Sequence, residues 1–298
     1  MKSGARGFAF ALGSALAFAL MGWCVRLAGD RMPPPEVAFA RGLVGCAVLM
    51  PLVGRRVSVL FARRAVWLWV RSVAGAAAVL SFFWTVHESS IASSRALTDL
   101  APAFVVLLAW LTRMEAPRLG LAAIILAMTA AAVSLNLDAT AGVSSAVLGV
   151  GLFGALCASI AYHALRQAAQ AFSSRLVVFG LAAAMTLAAP LVPSAPWVVP
   201  DARGLALVIG VGGLGILGQI WMTRAYVDLS ASVASALGTT ALLWSVLIDV
   251  LFQGQPLTPH AAFAYAVIAV GAASIQWVER RSRSSYPART KRTVGASA

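Results

Sequence analysis

Long apolar runs, each close to the length of a membrane span, alternate with short polar segments along almost the whole chain. A helix that crosses the hydrocarbon core of a bilayer needs about 20 predominantly apolar residues. The runs predict ten such spans, and Pro, Gly and charged residues mark the segments between them. The predicted spans are 7–27, 35–54, 66–87, 91–111, 118–137, 145–165, 175–195, 203–224, 230–252 and 259–279.

The chain also contains an internal repeat. Segments 84–115 and 224–255 both begin with small and Ser residues, continue as a long apolar run and finish in a short polar turn followed by Pro. Position 84 of the first segment corresponds to position 224 of the second, and we call this separation the repeat offset. The same offset also relates other, distant segments. Repetition at one offset predicts two copies of one structural unit. We expect the first five-helix unit in residues 1–140, the second in 141–279, and a basic, disordered cytoplasmic tail in 280–298.

The composition requires a lipid solvent for most of this chain. Hydrophobic residues make up 60% of the sequence and charged residues only 11%, whereas soluble domains carry about 25% charged residues. The net charge of +13 could indicate a nucleic-acid partner. However, the basic residues are scattered between apolar runs and do not interleave with aromatic residues on one face. We therefore expect the lipid bilayer, and not nucleic acid, as the partner of this surface.

The basic residues predict the orientation of the spans. With a cytoplasmic N-terminus, 17 of the 23 Lys and Arg residues fall in cytoplasmic segments, three in outer segments and three within spans. Basic residues accumulate on the cytoplasmic side of membrane proteins, so both termini are predicted to be cytoplasmic. Each unit has five spans, an odd number, so the second unit enters from the opposite side. The predicted fold is an all-α integral membrane protein of ten transmembrane helices, arranged as two inverted five-helix repeats.

Ten spans, a twofold five-span repeat and the order small-polar segment, Pro, apolar run and Glu resemble the EamA-type family of the drug/metabolite transporter superfamily. Pro102 and Glu115 match this order in the first half, whereas Leu242 and Gln255 stand at the corresponding positions of the second half. Within the family, the chain looks most like the YddG-like amino-acid exporters. The resemblance implies a secondary transporter of the cell inner membrane that exports small metabolites, especially neutral or aromatic amino acids, by alternating access.

We recognise no catalytic or cofactor-binding motif in the sequence. No Gly-rich loop ends in Lys-Ser or Lys-Thr, so a phosphate-binding loop for ATP is not predicted. The three His residues, His87, His163 and His260, lack the spacing of metal ligands. We therefore expect no enzyme activity, no cofactor and no metal site.

Charged residues within the spans are the first candidates for substrate binding, because such residues are costly in a bilayer and tend to face a cavity or a partner. They are Arg41 in the second span, and Arg95 and Asp99 in the fourth. Arg95 and Asp99 are four residues apart and share one helix face. They could pair only with each other, or bind a substrate carboxylate and ammonium respectively. Alternatively, Arg41 could pair with Asp99 and leave Arg95 free.

Aromatic and His residues form a second group of substrate-binding candidates, namely Trp23, Trp84, His87, Tyr162, His163 and Trp244. Any one of them could instead pack between helices or belong to an interfacial belt. Trp23 and the Tyr162-His163 pair are favoured. The repeat offset takes Trp23 to His163, and both helices are rich in Gly and Ala, which allow close approach around a cavity.

Small residues concentrate in the eighth span. Its glycines are Gly210, Gly212, Gly213, Gly215 and Gly218. Small residues let membrane helices pack closely, so this helix is predicted to be either a packing surface or a wall that bends during alternating access.

Two other functions remain open at the sequence level. A carrier of phosphorylated metabolites or nucleotide sugars would need more converging cations than Arg41 and Arg95. A membrane scaffold or enzyme would fit poorly with the twofold repeat and the missing catalytic cluster. Few carboxylates lie within the spans, so downhill transport and proton coupling both remain possible.

Overall fold

A computed structural model describes residues 2–28, 32–62, 65–113, 118–193, 196–254 and 256–284, and all regular structure among them is helical. The α-helices are α1 (Lys2–Ala28), α2 (Pro34–Val53), α3 (Val66–Glu88), α4 (Ile91–Thr98), α5 (Ala101–Thr112), α6 (Leu119–Ser134), α7 (Ser145–Ala171), α8 (Ser174–Ala188), α9 (Ala202–Asp228), α10 (Ala231–Gly238), α11 (Ala241–Gln253) and α12 (Pro259–Ser284). Short 3₁₀ segments span Gly54–Phe61, Leu137–Thr140 and Ala189–Leu191.

Nine helical segments of the described chain have the length and hydropathy of a membrane span, when α4 with α5 and α10 with α11 each count as one. The predicted span at 118–137 instead forms α6, which has 16 residues. α6 is shorter than the roughly 20 residues that cross a bilayer. The molecule is thus an all-helical, multi-pass membrane protein within its described residues, with nine of the predicted spans supported by length.

The spans predicted at 91–111 and 230–252 are not continuous helices, contrary to the expectation from their apolar runs. Asp99-Leu100 separates α4 from α5, and Thr239-Thr240 separates α10 from α11 at the position given by the repeat offset. The cause in the first half is Pro102. Proline has no N–H group to donate to the carbonyl of Thr98, four residues earlier, so the helical bonding stops at that turn.

The break in the second half has a different cause, because Leu242 occupies the position that corresponds to the proline. The hydroxyl of Thr239 donates to the carbonyl of Ala236 at 2.7 Å, and that of Thr240 donates to the carbonyl of Leu237 at 2.6 Å. Such local bonds compete with the regular helical hydrogen bonds. The same turn therefore forms at both places from different residues.

Several helices begin at a side chain that accepts a hydrogen bond from the first turn. Ser90, Ser144, Ser173, Asp201 and Ser230 each cap the helix that follows. A cap of this kind contributes about 1 kcal/mol to helix stability. Ser90 and Ser230 are related by the repeat offset, so the two interrupted spans also begin in the same way.

Helices from the two halves of the chain interleave instead of forming separate bundles. α1 packs along α9 and α3 along α7, while α2 packs against α8 and α6 against α12. Likewise, α4 and α5 contact α7, as α10 and α11 contact α1. The largest buried cluster contains Val105, Ile125, Leu165, Tyr226 and Ile268, which come from both halves. The two halves therefore share one core.

The C-terminal end differs from the predicted boundary. α12 continues to Ser284, five residues beyond the predicted end at 279, so the predicted tail 280–298 starts as helix. Residues 285–298 lie outside the described residues, as do Glu115 and Gln255 of the family pattern.

Candidate functional site

Asp99 occupies the break between α4 and α5, and its carboxylate is largely enclosed. The side chain is 13% exposed, and Oδ1 lies 3.7 Å from Nη2 of Arg95, which is 37% exposed. This separation is longer than a hydrogen bond. The second oxygen, Oδ2, is buried and has no hydrogen-bond partner among the described residues. The predicted Arg95–Asp99 pair thus exists as a loose contact that leaves one carboxylate oxygen available.

Arg71 on α3 is a buried cation, with 4% of the residue exposed. Its Nη2 donates to Oε1 of Gln219 on α9 at 2.9 Å, whereas Nε is buried without a hydrogen-bond partner in the described part of the chain. Gly75, one turn further along α3, leaves room for the guanidinium, because a Cβ there would collide with Nη1. Buried polar atoms normally have partners, so Nε marks a place where a ligand acceptor could bind.

Arg41 on α2 lies beside this cation. The guanidinium groups of Arg41 and Arg71 are close enough for their like charges to interact. No Asp or Glu oxygen of the described residues lies within 4.0 Å of either group. Arg41 also contacts Gly215, and a narrow cleft between α2, α8 and α9 is lined by Arg41, Gly215 and Gln219. Asp99 therefore contacts Arg95, and the alternative pairing with Arg41 is not seen.

Tyr162 on α7 connects the two charged regions. It lies within electrostatic range of Arg71, Asp99 and Arg95. Its ring packs against that of Tyr226 at a centroid distance of 5.9 Å. We refer to Arg41, Arg71, Asp99, Tyr162 and Gln219 as the central polar cluster. Within the described residues, the cluster combines two cations without carboxylate partners, one carboxylate with an oxygen that has no hydrogen-bond partner, and an aromatic side chain.

Trp23 and His163, which occupy corresponding positions in the repeat, hold neighbouring helices together. His163 is buried, and its Nε2 donates to the carbonyl of Val105 on α5 at 3.0 Å. Trp23 packs against Phe252 on α11, with ring centroids 5.2 Å apart. These contacts join α7 to α5 and α1 to α11, and they account for both side chains without a ligand.

The remaining aromatic and His candidates lie outside the contacts of the central polar cluster. His87 is near the end of α3, where its Nδ1 lies 3.0 Å from Oε1 of the adjacent Glu88 and its side chain is 36% exposed. Trp84 and Trp244 are half-buried on α3 and α11.

Three glycines of α9 permit close packing against other helices. A Cβ at Gly212 would lie 2.5 Å from Cγ1 of Val44, and one at Gly218 would lie 2.9 Å from Cε1 of Phe18. At Gly215 a Cβ would lie 2.8 Å from the Nε of Arg41. Because real Cβ atoms do not approach other atoms so closely, these three positions require glycine or a shift of the neighbouring side chain.

Gly210 and Gly213, the other two glycines of α9 predicted to pack or bend, do not make such close contacts. A Cβ at Gly210 would make an ordinary contact of 3.6 Å with Sγ of Cys24, and one at Gly213 would meet nothing within 4 Å. Gly213 is exposed on the outer face of α9, so it takes no part in the helix contacts.

Replacement of Gly212 and of its neighbour Gly213 by alanine should give opposite results. Gly212→Ala overpacks the contact with Val44, which costs about 1–3 kcal/mol, and should lower the melting temperature of the purified protein. Gly213→Ala should leave it unchanged or raise it, because alanine is about 1 kcal/mol more favourable than glycine in a helix. Equal melting temperatures for the two variants would contradict the packing role of Gly212.

Arg71 and Gln219 were not among the residues selected from the sequence. Arg71 carries the signal of a charged residue within an apolar run, but it lies only five residues after the start of α3, where a cation could equally reach the membrane surface. Gln219 gives no signal of its own. Only their contact across α3 and α9 identifies them. Among the described residues, no group of three or more His, Cys, Asp or Glu could hold a metal ion.

Many secondary transporters are multi-pass helical bundles whose buried polar site draws side chains from both halves of the chain. Residues 5–137 match the EamA-like transporter family. The pseudopaline exporter CntI of Pseudomonas aeruginosa (strain UCBPP-PA14) is 28% identical over 257 residues, covering 82% of this chain and 90% of that protein. The first half of the chain thus resembles the EamA-like transporter family, and the similarity to named transporters points to a transporter.

Two further proteins are similar to this chain. An uncharacterized transporter of Helicobacter pylori (strain J99 / ATCC 700824) is 25% identical over 265 residues, covering 85% of this chain and 88% of that protein. A crystal structure of a protein with 23% sequence identity superposes with a TM-score of 0.76, over 93% of this chain and 98% of that one. This last similarity concerns the fold alone.

Proposed function

We propose that the protein exports a small metabolite with an amino-acid group, a neutral or aromatic amino acid, across the cell inner membrane by alternating access. The observation that carries this proposal is the charge arrangement of the central polar cluster. Nε of Arg71 and Oδ2 of Asp99 have no hydrogen-bond partner among the described residues, and they suit a substrate carboxylate and a substrate ammonium group, respectively. Tyr162 offers an aromatic surface between them.

The proposed binding mode also uses the two helix breaks. α5 and α11 begin within the bundle, and the N-terminus of a helix carries a partial positive charge of about half an elementary unit. In many transporters such half-helix termini contact the charged groups of the substrate. Asp99 precedes α5 by two residues and lies next to this terminus. The acidic group of the site therefore comes from the helix break, and the basic groups come from α2 and α3.

Alternating access requires two units that can move against each other, and we propose that these are two inverted repeats of five spans. Four helix starts support the repeat, because the repeat offset takes the first residues of α4, α5, α6 and α2 to those of α10, α11, α12 and α8, respectively. α1 packs against α9, and α7, the repeat counterpart of α1, packs against α3, the counterpart of α9. Such reciprocal contacts are expected of two units related by a twofold axis. With an odd number of spans per unit, that axis lies in the membrane plane.

The orientation predicted from the basic residues places both termini in the cytoplasm. A single cysteine at position 297, introduced as Ser297→Cys after replacement of Cys24, Cys46 and Cys157, should resist an impermeant thiol reagent in intact cells. The same residue should react once the membrane is opened. Labelling of intact cells at the rate of opened cells would reject the proposed orientation.

A phosphorylated metabolite is the second candidate substrate. The proximity of Arg41 to Arg71 favours it, because two converging guanidinium groups suit a doubly charged phosphate. A phosphate monoester would use both cations and leave Asp99 without a role. This difference separates the two candidates experimentally.

Export from proteoliposomes tests the proposed function directly. Liposomes with the purified protein are loaded with labelled neutral, aromatic, acidic and basic amino acids, a sugar phosphate and a nucleotide sugar, and release is compared with protein-free liposomes. We expect release of neutral or aromatic amino acids above the protein-free rate. Release of the phosphorylated compounds alone would favour the second candidate, and release of none of the panel would reject both.

A further inference from the structure

A pocket of about 170 Å³ lies at one end of the helical bundle, and none of the residues that line it belongs to the central polar cluster. It is formed where α2 ends and α8 begins, beside the last turns of α9. The residues that line it are Leu52, Val53, Arg56, Ser173, Ser174, Arg175 and Arg224. Three arginine residues thus line one small space together with two serine and two apolar residues.

The positive charge of this pocket is not balanced by the described residues. No Asp or Glu oxygen among them lies within 4.0 Å of Arg56, Arg175 or Arg224. The guanidinium of Arg224 lies over the ring of Phe10 at 5.4 Å, which supports its position but contributes no net negative charge. Three like charges around one pocket repel one another, and an anion with several oxygens would relieve that repulsion.

The fold itself does not require these charges. By the repeat offset, Arg175 and Arg224 correspond to Pro35 and Trp84 in the first half of the chain. The repeat-related positions therefore hold neither basic residue, and they differ in charge from Arg175 and Arg224.

We propose that this pocket binds the phosphate group of an anionic membrane lipid. Arginine guanidinium groups match phosphate oxygens with paired hydrogen bonds, and basic pockets between membrane helices are sites for lipid headgroups. The position also suits a lipid. Leu52 in the pocket wall and Val48 one turn before it are 52% and 47% exposed on one face of α2, where an acyl chain could lie.

Thermal unfolding of the detergent-purified full-length chain with added lipid tests the proposal. The probes are phosphatidylglycerol, phosphatidylcholine with the same acyl chains, and inorganic phosphate. We expect phosphatidylglycerol to raise the melting temperature of the unmodified protein more than phosphatidylcholine. Removal of each arginine as Arg56→Gln, Arg175→Gln or Arg224→Gln should weaken phosphatidylglycerol binding about fivefold, the equivalent of ~1 kcal/mol per basic residue at an anionic surface.

The matched control is Arg55→Gln, which removes one charge from the same 3₁₀ segment but from a residue that does not line the pocket. This variant should bind phosphatidylglycerol like the unmodified protein. Equal weakening by Arg55→Gln and Arg56→Gln would show general surface attraction and overturn the proposal. An equal effect of inorganic phosphate would assign the pocket to a free anion and overturn the lipid assignment. Native mass spectrometry counts bound lipids on folded protein. The triple variant, which combines Arg56→Gln, Arg175→Gln and Arg224→Gln, should carry one phosphatidylglycerol fewer than the unmodified protein. An unchanged count would also overturn the proposal.

Discussion

Arg71→Gln is expected to abolish most export of amino acids while sparing their amides. Removal of one partner of a buried, hydrogen-bonded charge pair costs at least about 2 kcal/mol, or a factor of about 30 in affinity. An amino-acid amide has no carboxylate to lose, so its binding should change little. The measurement is substrate-dependent thermal shift and proteoliposome export for an amino acid and its amide, in the unmodified protein and in the variant.

The control for this prediction is Gln219→Leu. Gln219 is the hydrogen-bond partner of Arg71 in the structure, so its loss disturbs the position of the guanidinium but keeps the charge. If Arg71 only joins α3 to α9, the two variants should behave alike towards acid and amide. If Arg71 binds the carboxylate, only Arg71→Gln removes the preference for the acid. Equal thermal shifts for acid and amide in the unmodified protein would end the carboxylate role.

Asp99→Asn is expected to weaken amino-acid binding about tenfold or more, with little effect on the corresponding acid that lacks the amino group. A hydrogen bond to a charged group contributes about 1.5–3 kcal/mol, and Oδ2 has no other hydrogen-bond partner among the described residues. Thermal shift with the two ligands, which share a carboxylate and a side chain, isolates the ammonium contact. An equal loss for both ligands would assign the effect to folding and not to recognition of the ammonium group.

The contact with Arg95 is tested by combining Asp99→Asn with Arg95→Gln. The two groups are 3.7 Å apart and Arg95 is 37% exposed, so we expect a coupling below about 1 kcal/mol in the free energy of unfolding. If the ion pair is purely structural, the coupling between the two residues should be larger. In that case the single variant Asp99→Asn would fold worse than the double variant, and the double variant would bind substrate normally.

The interrupted spans show where the sequence was informative and where it was not. The repeat offset relates Ser90 to Ser230, and each of these residues caps the helix that follows it. It did not reveal that both apolar runs are broken, because hydropathy measures transfer into lipid and is insensitive to a two-residue turn. Pro102 was visible as a helix breaker, but Thr239 and Thr240 form the same turn through hydroxyl bonds that an apolar pattern does not register.

The sequence alone determined that this protein lies in a membrane, because a chain with 60% hydrophobic residues, gathered into long apolar runs, has no other favourable solvent. It also located the helices and the Arg95–Asp99 contact, since both depend on residues close together in the chain. Only the tertiary structure decided that Arg71 meets Gln219, 148 residues away, and that Trp23 and His163 are occupied by helix contacts. Those outcomes depend on which faces of α1, α3, α7 and α9 turn towards each other, and in lipid that choice is made by close packing and by pairing of polar groups, not by hydrophobicity.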